Sequence, residues 1–151
     1  MGSRKTIFRE TTEVPVRRSV EGIVDMLAQA GAKTVNQQYE EGRPIGVQFT
    51  LLVQGAMCTF ALPTRTAAIE KELAKRNANG RGRRKAPSEI QAQADKIAWR
   101  QLFAWVEAQL AMIDSGMAAP GEVFLPYLLN AAGLTMWDAF SHKQLAAPEG
   151  K

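Results

Sequence analysis

Hydrophobic and polar residues change their spacing several times along this chain, and each change marks an element. Thr6 to Val14 (TIFRETTEV) is rich in β-branched side chains and reads as a strand, placed at a sheet edge by Pro15 close behind. From Arg17 to Ala30, Val20, Ile23, Val24, Leu27 and Ala28 recur at spacings of three and four, while Arg17, Arg18, Glu21, Asp25 and Gln29 mostly fill the other face. That is the pattern of an amphipathic helix, with Gly31 placed to end it. Thr34 to Glu40 reads as a short polar strand, closed by the turn-forming Glu41-Gly42-Arg43-Pro44. In residues 46–63, Val47, Phe49, Leu51 and Val53 alternate with Gln48, Thr50 and Gln54, and Cys58, Phe60 and Leu62 alternate with Met57, Thr59 and Ala61. A period of two on both sides of Gly55 predicts a hairpin whose odd positions in the first arm face the core.

Helical spacing takes over after Pro63. Thr66 is placed to cap a short helix through Arg76 whose apolar stripe is only Ile69 and Leu73, and Asn77-Ala-Asn-Gly80 breaks it. Pro87, with Ser88 and Gln91 at the spacing of a capping box, opens a long helix to about Asp114, stopped by Gly116. Its apolar residues, among them Ile97, Trp99, Phe103, Trp105 and Leu110, occupy a wide arc, so it is expected to be covered on more than one side. Glu122 to Leu129 predicts a short helix made irregular by Pro126. Thr135 followed by Asp138 predicts a final helical turn burying Met136, Trp137 and Phe140, with Gln144 to Lys151 frayed. Together these elements predict one α+β domain over residues 1–151: a β-α-β-β sheet unit with one helix on its face, packed against a long C-terminal helix and short terminal helices.

Charge changes the picture because it is concentrated. Lys75, Arg76, Arg81, Arg83, Arg84 and Lys85 lie in an eleven-residue run without an acid; outside it 13 basic residues face 15 acidic ones, leaving −2 where the whole chain carries +4. Guanidinium and ammonium groups on a glycine-rich segment can meet phosphates and release counterions, which makes these six residues the candidate contacts for DNA or RNA and 77–87 a flexible basic loop. A solvated connection between two helices, or a contact for an acidic protein, is the competing reading. NGRGRRK, residues 79–85, is not a phosphate loop of the nucleotide-binding kind, because it joins two helices and lacks the ordered glycine spacing.

Little else points to chemistry. His142 is the only histidine and sits in a polar tail, and Cys58 lies on the core face of a predicted strand, so neither a Cys–His nucleophile nor a zinc site of the usual ligand set is expected. Glu40-Glu41 adjoin a turn and read as solvated. Trp99, Phe103, Trp105, Trp137 and Phe140 fall at apolar helical positions and are assigned to packing rather than base stacking. No cofactor, metal or catalytic residue is predicted, and the expected protein is not an enzyme. No apolar run reaches the length of a membrane span, the N-terminus does not read as a secretory signal, and a single cysteine fits a reducing cytosol.

TTEVPVRRSVEGIVDMLAQAGAKTV, YEEGRPIGVQFTLLV, CTFALP, IAWRQLFAWVEAQLAMIDSGM, EVFLPYLL and GLTMWDAF together resemble a family of small proteins of uncharacterised function encoded by tailed phages and prophages, over most of residues 11–140. The resemblance implies a setting, the cytoplasm of a bacterial host, and assigns residues 77–87 no role. Two functions are therefore expected: a phage accessory protein that binds nucleic acid through the basic loop, or a module that binds and inhibits a host protein. A sheet edge left open offers a route to self-association.

Overall fold

Two turns with left-handed backbone set the sheet. Glu41 and Gly42 (φ 50° and 78°) and Gln54 and Gly55 (φ 50° and 83°) have the positive angles that a two-residue hairpin turn matched to strand twist needs at both central positions. The first turn joins β1 (Thr34–Glu40) to β2 (Arg43–Val53), and the second joins β2 to β3 (Ala56–Pro63). The result is a three-stranded antiparallel sheet in the order β1-β2-β3. The structure is a computed structural model and describes residues 6–146. Its backbone gathers into two compact units: the N-terminal segment to Ile23 with Thr64–Glu107, and Val24–Pro63 with the chain from Ala108 onward. The fold is α+β, with α1 (Val16–Gln29), α2 (Ala67–Asn79), α3 (Pro87–Asp114), α4 (Pro120–Phe124) and α5 (Met136–Ala146).

In the unit that holds the sheet, alternation decides the core. Val47, Phe49 and Leu51 of β2 and Phe60 and Leu62 of β3 are buried, and the register sets Phe49 opposite Phe60 and Val47 opposite Leu62. Phe124, at the end of α4, lies on this pair with ring centroids 5.1 Å from Phe49 and 5.7 Å from Phe60, the two strand rings being 5.4 Å apart. Such edge-to-face and offset contacts add to area burial. Pro126 cannot donate a backbone hydrogen bond, and the chain tightens there into a 3-10 turn over Leu125–Tyr127. It then runs along β3, the Leu129 amide donating to the Thr59 carbonyl at 2.9 Å and Leu128 bridging to Phe60. This strap covers an edge strand that would otherwise present unpaired backbone groups. Thr135 ends the strap and starts α5, its Oγ1 accepting from the Asp138 amide at 3.1 Å.

The other unit is helical. Buried Ile97, Ala98 and Trp99 are consecutive in α3, so at about 100° per residue the helix is enclosed around most of its circumference there. The Arg100 guanidinium lies 4.0 Å from the Phe103 ring centre and donates to the buried Ser19 hydroxyl at 3.4 Å.

Several expectations need correction. Residues 6–14 form turns instead of a strand: Glu10 and Thr12 amides donate to the Ile7 and Arg9 carbonyls, Glu10 Oε1 accepts from the Ile7 amide, and Thr12 Oγ1 accepts from the Val14 amide. Polar side chains that satisfy their own backbone outcompete β propensity where no partner strand is at hand. The β-α-β-β order accordingly lacks its first strand, and the three strands all follow α1. At the start of α3 it is Glu89 that accepts from the Ala86 amide at 3.0 Å, in place of the expected Ser88 and Gln91 box. The chain from Thr135 forms an eleven-residue helix, not one turn, and carries residues 144–146 of the segment expected to fray; residues 147–151 lie outside the described part. Cys58 is half-buried.

Replacing Phe124 with Ala is expected to cost about 3–5 kcal/mol, read as a lower urea midpoint at unchanged slope. Phe140→Ala, on an exposed ring, should stay within about 0.5 kcal/mol.

Candidate functional site

Each of the six predicted basic contacts has a definite place. Arg76 is in the last turn of α2, where its Nε donates to Glu72 Oε2 at 3.1 Å and Nη1 donates to Glu10 Oε1 at 3.0 Å. Its side chain is only 16% exposed, so it is a structural clamp between α2 and the N-terminal segment. Arg83 makes a two-pronged pair with Glu89, 2.9 and 3.3 Å, tying the loop to the start of α3. Arg84 Nη1 donates to the Gly80 carbonyl at 2.7 Å. Lys75, Arg81, Arg84 and Lys85 are exposed and, among the described residues, form no ion pair.

The loop closes on itself. Asn77 Oδ1 accepts from the Lys85 amide at 2.8 Å and its Nδ2 donates to the Lys85 carbonyl at 3.2 Å, so one side chain spans the mouth of the segment. Gly82 takes φ 94°, a conformation that lets the chain reverse and that a side chain would strain. Three carboxylates that the basic run lacks in sequence, Glu10, Glu72 and Glu89, are thus brought onto it by folding. Pairing raises Arg76 and Arg83 further above the ordinary guanidinium range, through Glu10 first in one case and Glu89 in the other. The Arg83 guanidinium, helped by the Ala86 amide, holds the Glu89 carboxyl down at about 2 from the ordinary 4.5.

A second feature, which the sequence pattern places in the core, lies on the surface. Trp137 and Phe140 are 52% and 55% exposed, with Met136 also exposed, contrary to the expected burial of all three. The two rings stack with centroids 6.0 Å apart. Positions 136, 137 and 140 share one face of a helix, and α5 rests on the 3-10 turn at Leu125–Tyr127, where Leu125 is exposed as well. An apolar helical stripe looks the same in sequence whether it faces a core or a partner, so periodicity carried no signal for the difference. Trp99 by contrast is buried, as its position predicts.

Among the described residues no group of three or more His, Cys, Asp or Glu is placed to hold a metal ion, and no helix is long and apolar enough to cross a membrane. His142 is exposed on α5, and Glu40 and Glu41 are exposed at their turn. No protein-family model, curated protein or solved structure matches this chain.

Because the folded pKa of Glu89 lies below its unfolded value, the contribution of its pair with Arg83 is complete above about pH 4.5 and is lost as pH falls through about 2. A side-chain carboxyl NMR titration should give a Glu89 midpoint near 2 in the parent protein and one displaced toward 4.5 in Arg83→Ala. An unchanged midpoint in the variant would remove the pair from the loop's architecture.

Proposed function

We propose that this protein is a non-enzymatic interaction module that docks on a partner protein through the Met136, Trp137 and Phe140 face of α5. The carrying observation is the stacked, half-exposed pair Trp137 and Phe140. Tryptophan, other aromatics and methionine are enriched at the centres of protein interfaces, where they supply large contact area with few rotatable bonds. A solvent-facing aromatic pair on a helix is also the anchor arrangement of helix-in-groove recognition, in which residues at i, i+3 and i+4 enter an apolar cleft. The partner chemistry that fits is a protein with an apolar groove; the resemblance to phage-encoded proteins would place it among bacterial host or phage proteins.

The nucleic-acid reading of the basic loop is weaker, since Arg76 and Arg83 of the six predicted contacts are engaged by carboxylates. Phosphate binding by the remaining four would also be strongly salt-dependent.

The test is capture from nuclease-treated host lysate by tagged protein, followed by titration of the purified partner. Trp137→Ala with Phe140→Ala should weaken that binding by roughly 30-fold or more, the size of an anchor residue's contribution. Replacing Arg81, Arg83, Arg84 and Lys85 with Ala should leave it unchanged. Loss of capture on nuclease treatment, or equal capture by the aromatic double variant, would overturn the proposal.

A further inference from the structure

In the helical unit, the end of α2, the closed loop and the N-terminal segment surround a cavity of about 450 Å³. We propose that this cavity binds the phosphate group of a small molecule of about mononucleotide size. The volume is that of small-molecule pockets, which run from roughly 300 to 1,000 Å³. Four cationic side chains border it, Arg76, Arg81, Arg83 and Lys85, and Leu73 and Ile90 supply an apolar wall. A charged end and an apolar side suit a ligand that is itself divided between an anion and a flat or apolar body.

The charge balance inside the cavity points the same way. Glu10 also borders it, but its Oε1 already accepts from the Ile7 amide at 2.7 Å and from Arg76 at 3.0 Å. Arg83 is matched by Glu89. Arg81 and Lys85 are the two bordering cations with no ion pair among the described residues. With Arg76 set against Glu10 and Glu72 and Arg83 against Glu89, the four bordering cations exceed these three carboxylates by one positive charge, which favours an anion such as a phosphate monoester, charged about −1.5 to −2 at neutral pH. Their backbone is held in place before any ligand arrives: Asn77 grips Lys85 at both its amide and its carbonyl, and the Arg83 pair with Glu89 fixes the far side of the loop. Such preorganisation lowers the ordering cost of binding. The closed loop bounds one side of this half-open cavity, and its volume suits a compact ligand better than a nucleic-acid strand, which tracks along an extended groove. This inference is independent of the contact through α5.

Lys75 provides the internal control, because it belongs to the same basic run but does not border this cavity. Isothermal titration of the full chain with inorganic pyrophosphate, with adenosine monophosphate and with a short oligothymidine, at near-physiological salt, distinguishes the outcomes. One saturable site for pyrophosphate or the nucleotide is expected, with affinity reduced about tenfold or more in Arg81→Gln and in Lys85→Gln and unchanged in Lys75→Gln. Circular dichroism of the variants should match the parent, since all three positions are exposed. The proposal is overturned if neither small phosphate binds saturably. It is equally overturned if Lys75→Gln weakens binding as much as the other two, or if only the oligothymidine binds, which would make the loop a nucleic-acid contact instead.

Discussion

The seating of Phe124 on Phe49 and Phe60 is the contact on which the rest of the sheet-containing unit depends. A three-stranded sheet with one apolar face cannot hide that face by itself. The ring of Phe124 is fully buried against the two strand rings, and α4 delivers it there. Everything after it follows from that placement. The tight turn at Pro126 redirects the chain along β3, the Leu129 amide pairs with Thr59, and Thr135 is set to cap α5. The helix that results is fixed at its first turn, while Trp137 and Phe140 are left in solvent. Exposed aromatics on a well-anchored helix are a different matter from exposed aromatics on a frayed end, because the anchoring has already removed much of the entropy that docking would otherwise cost.

The helical unit is organised around Arg76 in the same sense. A guanidinium held between two carboxylates and mostly withdrawn from water would be costly to leave half-paired, so Glu10 and Glu72 and the segments that carry them are fixed together. That arrangement takes one cation out of any electrostatic surface. It also forms one wall of the cavity, leaving Arg81 and Lys85 as the bordering cations that form no ion pair among the described residues. A run of six positive charges thus becomes a frame with a small number of free charges at defined places.

The parts legible in the sequence are those decided by neighbours. The hairpin over 46–63 was readable because alternation and a glycine turn agree, and the length of α3 because its start and stop signals are local. The strand expected at 6–14 was not formed, since composition says nothing about whether a partner strand is present; the same Thr and Glu residues that look extended can instead hydrogen-bond to their own backbone. Glu10 lies 66 positions from Arg76, so no local pattern could pair them. Glu72, four positions from Arg76 on α2, was within reach of a helix-spacing argument, whereas Glu89, six positions from Arg83 and across the junction of loop and helix, was not. The surface location of Trp137 and Phe140 could not be read at all, because apolar residues spaced three and four apart on a helix specify a shared face and not what covers it.

Site-specific crosslinking in cells tests the central claim most directly. With a photo-reactive phenylalanine analogue at position 140, illumination should yield one defined protein adduct, and the same analogue at position 84 in the basic loop should not yield it. An adduct with nucleic acid from position 84, together with none from position 140, would contradict the account.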